Sequence, residues 1–290
     1  MKYVFFTGAT GDLGRQCVKI LSDSGRWTVF AAGTNEERLK QLGTWPNLVP
    51  IRCDITEQAS VEAARQFVAL QTGKLDAIVN FAGLTAFTSA VEGDIIQMTE
   101  KLLAVNVMGM VRVNKVFFEI LNKAKGRILN CSSEAGWMTA QPFAAPYFLS
   151  KRAVEAYSDS LRRELMFLGI KVIKIQPGSF KTKITEDIYQ CYDQTLNCTM
   201  YYKNLLIKMK PLMVQELTNN NDPVRLARMV MKALDVRHPR LYYRIGTGKL
   251  LSLLEILPER WVDGVYKFFF KMRNKSEIIE KCKNENQLQK

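Results

Sequence analysis

The chain has 290 residues, 47% of them apolar and 24% charged, with 41 Lys and Arg against 28 Asp and Glu. That length holds one large core, and the balance is that of an ordinary globular protein without the repeats or biased tracts of solenoids and coiled coils. The net charge of +13 comes from basic residues scattered among acidic ones. It therefore argues for solubility, an anionic lipid surface or an acidic carrier protein, and against nucleic acid as a partner.

Short runs rich in Val, Ile and Phe alternate with longer segments of helical period. Strands are expected at residues 2–6, 27–32, 48–52, 76–80, 127–132, 171–176 and 241–245, and helices at 15–24, 60–70, 94–121 and 151–168. Alternation of this kind predicts an α/β fold, a doubly wound, mostly parallel Rossmann sheet of about seven strands with helices on both faces. No polar or Pro/Gly-rich linker divides the chain, so a single domain over 1–290 is expected. Residues 1–182 form its cofactor-binding and catalytic core, 183–222 a substrate-loop region, and 246–290 an apolar and basic C-terminal extension. Met1-Lys2 runs straight into the first apolar segment, too short for a signal peptide or span. The six cysteines contain no C-x-x-C and read as reduced thiols, which predicts a cytoplasmic protein. A single histidine, His238, excludes a multi-histidine metal site.

The first strand ends in Thr7-Gly8-Ala9-Thr10-Gly11-Asp12-Leu13-Gly14. Glycines three apart between a strand and a helix let backbone N–H groups approach a pyrophosphate, and the helix dipole adds to the attraction. After the second strand comes Ala32-Gly33-Thr34-Asn35, where nucleotide-binding sheets often carry an acid for the ribose hydroxyls. Lacking that acid, the site does not repel a ribose phosphate, so NAD(P)(H) is expected with a lean to NADP(H); Arg15 and Arg38 lie within reach. Asp54 and Ile55 face the adenine, unless Asp54 caps the next helix instead. Asn80-Phe81-Ala82-Gly83 follows the fourth strand, and Asn80, Ala82 and Gly83 are expected against the cofactor.

Asn106 stands in an apolar stretch, either as a buried and satisfied side chain or as the holder of a water that relays protons to Lys151. Ser133 follows the fifth strand, placed to hydrogen-bond a reacting oxygen. Tyr147 and Lys151 are four residues apart on one helix face, where a positive charge favours the phenolate and lowers its pKa. Such a pair can exchange a proton with a carbinol oxygen while hydride moves at a nicotinamide. Spacing alone proves little: ten tyrosines in a Lys-rich chain yield about one such pair by chance. After the sixth strand, Pro177, Gly178 and the Thr182 hydroxyl are expected at the nicotinamide.

With these residues in this order, the sequence resembles the short-chain dehydrogenase/reductase family, closely over residues 2–182 and more loosely to about 257. The resemblance implies a catalytic tetrad at Asn106, Ser133, Tyr147 and Lys151. It also implies a seven-stranded sheet, and dimers or tetramers built on the helices bearing Asn106 and Tyr147. Residues 154–165 and 176–182 look like the retinol and hydroxysteroid dehydrogenase branch, implying a hydrophobic alcohol or ketone as substrate. Reduction of 3-oxoacyl chains, or a catalytically silent nucleotide sensor, are the alternatives. Asp12 replaces a usual glycine and Phe81 a common Asn, which puts the choice of cofactor in doubt. The membrane-anchoring N-terminal extension of many animal relatives is expected to be missing here.

Leu84, Glu134, Phe143 and Tyr189 are expected in the substrate pocket, with Phe87, Trp137 and Met138 as further candidates. The Tyr- and Met-rich segment 184–221 suits either an adaptable apolar pocket or ordinary helix packing. In the tail, Trp261, Val262, Val265, Tyr266 and Phe268–Phe270 interleave with Lys267, Lys271 and Arg273. That pattern fits a helix lying on a membrane surface, a pocket rim or a subunit contact.

Overall fold

A computed structural model describes residues 1–180, 183–217, 221–248, 255 and 257–271. The strands are β1 Lys2–Thr7, β2 Trp27–Gly33, β3 Leu48–Arg52, β4 Ala77–Asn80, β5 Arg127–Cys131, β6 Lys171–Pro177 and β7 Tyr242–Ile245. They form one sheet in the order β3-β2-β1-β4-β5-β6-β7, and every pairing is parallel. The expected strands are all present, with ends shifted by one residue or not at all. Alternate side chains of each central strand enter opposite layers. Val4 and Phe6 join a core with Val29, Ala31 and Ile173, while Phe5 joins one with Phe30, Ile78 and Val172. Burial on both faces is why these strands read as continuous apolar runs rather than alternating ones.

Helices α1 (Asp12–Asp23) and α9 (Pro223–Asp235) cover the first face. The other is covered by α3 (Gln58–Gln71), α5 (Met110–Lys123) and α6 (Ala145–Leu165). Helix α2 is Glu36–Leu42, and α4 Ile95–Leu102 continues into a π-helical turn at Leu103–Gly109 before α5. The sequence predicts one helix across this stretch. A π turn changes the hydrogen-bonding period over only a few residues, too short a stretch for apolar periodicity to reveal it. Beyond β6 come α7 Lys183–Cys198 and α8 Lys203–Leu217, and after β7 comes α10 Glu259–Lys271, which packs on α8. None of the described helices is long and apolar enough to cross a membrane.

The chain reverses its direction of travel across the sheet between β1 and β4, where Thr7 lies beside Asn80. Crevices at such a switch point, outside the strands' carboxyl ends, are where ligands bind in doubly wound sheets.

Candidate active site

A cavity of about 820 Å³ opens at that switch point. Its floor begins at the loop between β1 and α1. Gly8 has φ +72°, and a Cβ there would stand 2.5 Å from the Ala82 amide nitrogen; a Cβ on Gly14 would meet the Gly8 carbonyl oxygen at 2.1 Å. Only glycine permits this close approach of strand, turn and helix. The Thr7 hydroxyl accepts from the amides of Phe81 (3.2 Å) and Ala82 (3.4 Å), tying the two turns together. The result is a backbone cradle at the start of α1, the shape and polarity that a pyrophosphate requires.

From there the cavity runs past Gly33, Thr34, Asp54 and Ile55 on one side and toward Ser133, Tyr147 and Lys151 on the other. Of the residues expected at a cofactor, Gly8, Thr10, Gly11, Asp12, Leu13, Gly14, Gly33, Thr34, Asp54, Ile55, Ala82, Gly83, Tyr147, Lys151, Pro177 and Gly178 all line it. Thr182 lies outside the described residues. Asn80 faces elsewhere: its amide donates to Asn114 Oδ1 (2.8 Å) and Asn130 Oδ1 (2.9 Å). Asn114 in turn donates to the Tyr157 hydroxyl (3.2 Å), and Asn130 to Ser158 Oγ (3.0 Å). This buried polar seam fixes the ends of β4 and β5 against α5 and α6. Asn114 escapes sequence reasoning because one Asn in a helix carries no spacing signal.

Asp54 does not cap α3. Its carboxylate accepts from the Thr56 amide (2.9 Å) and hydroxyl (2.7 Å), forming the turn that precedes that helix. At the ribose end Asn35 caps α2 by accepting from the Arg38 amide. Arg38 Nη1 donates to the Thr10 carbonyl at 3.1 Å and so reaches the glycine loop, while Arg15 turns away to Gln41.

Tyr147 sits in the first turn of α6, with Pro146 beside it at the helix start. The Ser133 hydroxyl hydrogen-bonds the phenol, and Ser133 itself accepts from the Ala135 amide (3.2 Å). Lys151 Nζ lies 5.7 Å from the Tyr147 ring centre and donates to the Cys131 carbonyl (3.1 Å). Burial pushes the phenol far above its ordinary range, opposed by the Ser133 hydrogen bond and aided by Cys131 and Glu134. Burial also lowers the Lys151 ammonium, with Cys131 and Glu155 acting the other way. The lowered phenol pKa expected from the Tyr-Lys spacing is therefore not found in the chain alone. Desolvation disfavours the phenolate more than the Ser133 hydrogen bond favours it.

Asn106 is buried in the π-helical turn. Its Oδ1 accepts from the Leu84 amide (2.7 Å), and its Nδ2 donates to the Leu84 carbonyl (2.9 Å) and to Ser150 Oγ (3.0 Å). A Cβ on Gly83 would lie 3.3 Å from Asn106 Oδ1 and 3.6 Å from Lys151 Nζ. Asn106 thus buttresses, from behind the cavity wall, the turn that faces Lys151, while Ser133, Tyr147 and Lys151 line the cleft itself.

In the substrate region Leu84 and Glu134 line the cavity, joined by Ile188 of α7. Phe143 does not. It packs with Tyr192 and Leu206 in a satellite core, together with Phe87 and Tyr202, and its φ of +61° aims the ring there. The Tyr192 hydroxyl donates to the Leu206 carbonyl at 2.8 Å. Much of the Tyr- and Met-rich segment therefore holds α7 and α8 together. Tyr189, half-buried on α7, is not part of the cavity wall. Nor is Trp137, whose ring stacks under the Arg244 guanidinium at 3.7 Å.

The model of the short chain dehydrogenase family matches residues 2–193. Retinol dehydrogenase 7 of Mus musculus is 33% identical over 285 residues, with 91% of this chain and 87% of the relative covered. The 17-beta-hydroxysteroid dehydrogenase type 2 of Homo sapiens is 32% identical, covering 93% and 73% respectively. Among solved structures, a short chain dehydrogenase/reductase from Burkholderia phymatum in complex with NAD superposes with a TM-score of 0.74 at 20% identity, over 90% of this chain and 94% of its own. The glycine cradle, the cleft leading from it and the tyrosine at its end thus belong to a nicotinamide-dependent oxidoreductase, a member of the short-chain dehydrogenase family in its retinol and hydroxysteroid branch.

Proposed function

We propose that the chain interconverts a hydrophobic secondary alcohol and its ketone, steroid-, retinoid- or long-chain-like, with Tyr147 as the acid and base. The observation that carries this reading is the Tyr147 phenol, hydrogen-bonded to Ser133 and near Lys151, in the wall of the same cleft that begins at the glycine loop. A bound nicotinamide supplies or accepts the hydride. The backbone of Gly8–Gly14 would hold its pyrophosphate, and Pro177 and Gly178 would contact its nicotinamide end. Ser133 positions the substrate oxygen beside the phenol. Because burial keeps the phenol protonated at neutral pH, Tyr147 is ready to give its proton to a carbonyl oxygen as hydride arrives. Lys151 offsets the phenolate left behind. In the reverse direction the same atoms remove the hydroxyl proton.

NADP(H) is the favoured cofactor in this reading. Thr34 and Asn35, rather than an acid, stand directly after β2, and Arg38 already reaches the rim of the loop. Leu84, Phe180 and Ile188 make the substrate end apolar, in keeping with the substrates that the relatives' names describe. The five described cysteines are free thiols, which suits a cytoplasmic enzyme. Met108 and Leu149, each about half exposed beside the active-site helices, support a homodimer or homotetramer built there. The C-terminal segment makes peripheral contact with a membrane. Cofactor oxidation across a panel of apolar ketones, with NADH and NADPH in parallel, tests the reading. Turnover of apolar ketones with preference for NADPH is expected, and no turnover of any of them overturns it.

A further inference from the structure

We infer that Arg112, on α5, is a positioning residue for the adenine end of the cofactor and acts through the backbone of Ile55; this rests on the reading that a nicotinamide nucleotide fills the cleft. Asp54 and Ile55 lie in the short turn between β3 and α3, and both line the catalytic cavity together with Gly33 and Thr34. Most of that turn is held by near neighbours. The Cys53 amide donates to the Gly33 carbonyl (2.9 Å) and the Asp54 amide to Ser60 Oγ (2.9 Å), while the Asp54 carboxylate accepts from Thr56. The Ile55 carbonyl is held from farther along the chain. It accepts from Arg112 Nη1 at 2.6 Å, across 57 residues of sequence.

The start of α5 is shaped for this contact. Gly109 precedes Arg112 by three residues, so the two share one side of the helix. A Cβ on Gly109 would stand 2.5 Å from Ile55 Cδ1 and 2.7 Å from Cγ1. The helix therefore leaves room for the Ile55 side chain and, one turn on, supplies a charged donor to the carbonyl of the same residue. A hydrogen bond from a guanidinium is stronger than a neutral one, and here it restrains a wall of the cleft. Arg112 is not itself part of the cavity wall, so its effect on a bound nucleotide passes through Ile55. Asn106, six residues earlier, braces Leu84 at the Lys151 end of the same cleft. One stretch of chain, 106–112, thus fixes both ends: Asn106 the catalytic end and Arg112 the adenine end. Loss of Arg112 therefore weakens the hold on adenine and leaves the geometry around Lys151 in place.

The test is calorimetric titration of wild type and Arg112→Ala with NADPH, with AMP, and with reduced nicotinamide mononucleotide, which lacks the adenine. The dissociation constants for NADPH and AMP should rise about tenfold, the weight of one charge-assisted hydrogen bond. That for the mononucleotide, and kcat at saturating NADPH, should stay within about twofold of wild type. Arg112→Lys keeps the charge and a single donor, and should recover part of the loss. Gly109→Ala, which displaces the Ile55 side chain, should weaken the same two adenine nucleotides. Unchanged NADPH affinity in Arg112→Ala overturns the inference. An equal loss for the mononucleotide also overturns it, because Arg112 would then support the whole fold rather than one end of the cleft. If circular dichroism shows Arg112→Ala unfolded, the same comparison in Arg112→Lys decides. If wild type reduces no ketone, the catalytic reading falls while the AMP titration still decides the role of Arg112; a wild type that binds neither AMP nor NADPH overturns the inference itself.

Discussion

Replacing Asn106 with Ala removes three hydrogen bonds from a buried position: two to the Leu84 backbone and one to Ser150 Oγ. Each is worth about 1 kcal/mol net, and a buried group left unpaired costs about 1–3 kcal/mol. Leu84 lies at the edge of the cavity, where water can recover part of the loss. The expected destabilisation is therefore about 3 kcal/mol, read as a shift of the urea midpoint with an unchanged slope. The same change frees the turn at Gly83 and Leu84, which faces Lys151. Turnover should fall with it, while cofactor affinity changes less. Asn106→Asp keeps the acceptor for the Leu84 amide but loses both donated bonds, and should fall between Ala and wild type. An Asn106→Ala protein as stable as wild type would refute the buttressing role. Full turnover in a protein destabilised as expected would refute the link from Asn106 to Lys151.

Three further outcomes follow from the geometry. Gly14→Ala places a Cβ 2.1 Å from the Gly8 carbonyl oxygen, so the loop must open. Fluorescence titration should show NAD(P)H affinity reduced at least about tenfold in a folded protein. Arg38→Ala should raise the KM for NADPH about tenfold and leave that for NADH unchanged, as expected for loss of one charge-assisted contact; equal effects on both cofactors would contradict the preference for NADP(H). Glu92 accepts from the Thr199 hydroxyl and from the amides of Met200 and Tyr201, which holds its carboxyl below the usual range. A depressed folded pKa stabilises the α7–α8 turn above the unfolded value of about 4.3, and that contribution is lost as pH falls through the folded value. Protection of the Met200 and Tyr201 amides against hydrogen exchange, measured relative to the intrinsic rate at each pH, should fall on acidification, and at neutral pH in Glu92→Ala.

Most of the sheet was legible because its strands are buried on both faces and bounded by turns. Phe5 and Phe6, for example, point into opposite cores, so an unbroken apolar run could only be an internal strand. The glycine loop was legible because a close backbone approach leaves a residue type behind. What stayed hidden depends on long-range contact or backbone geometry. The π-helical turn spans too few residues for its period to show in the sequence. Phe143 reads as a pocket residue until its positive φ turns it toward Tyr192 and Tyr202. Asn80 belongs to a cofactor-like motif, yet Asn114, 34 residues away, claims its amide. The Tyr-Lys spacing predicts a lowered phenol pKa, whereas burial raises it. Spacing records charge and carries no information on burial.

The catalytic assignment rests on one hydroxyl. Tyr147→Phe removes it and leaves the ring, the cleft and the glycine loop in place. Ketone reduction by this variant should fall by about 10²–10⁴-fold, the usual worth of a positioned acid or base, while the NADPH dissociation constant stays within a few-fold of wild type. Reduction by wild type should also hold steady through neutral pH, because burial keeps the phenol protonated there. A Tyr147→Phe protein that binds NADPH and retains activity within a factor of about ten would contradict the assignment of the proton to Tyr147.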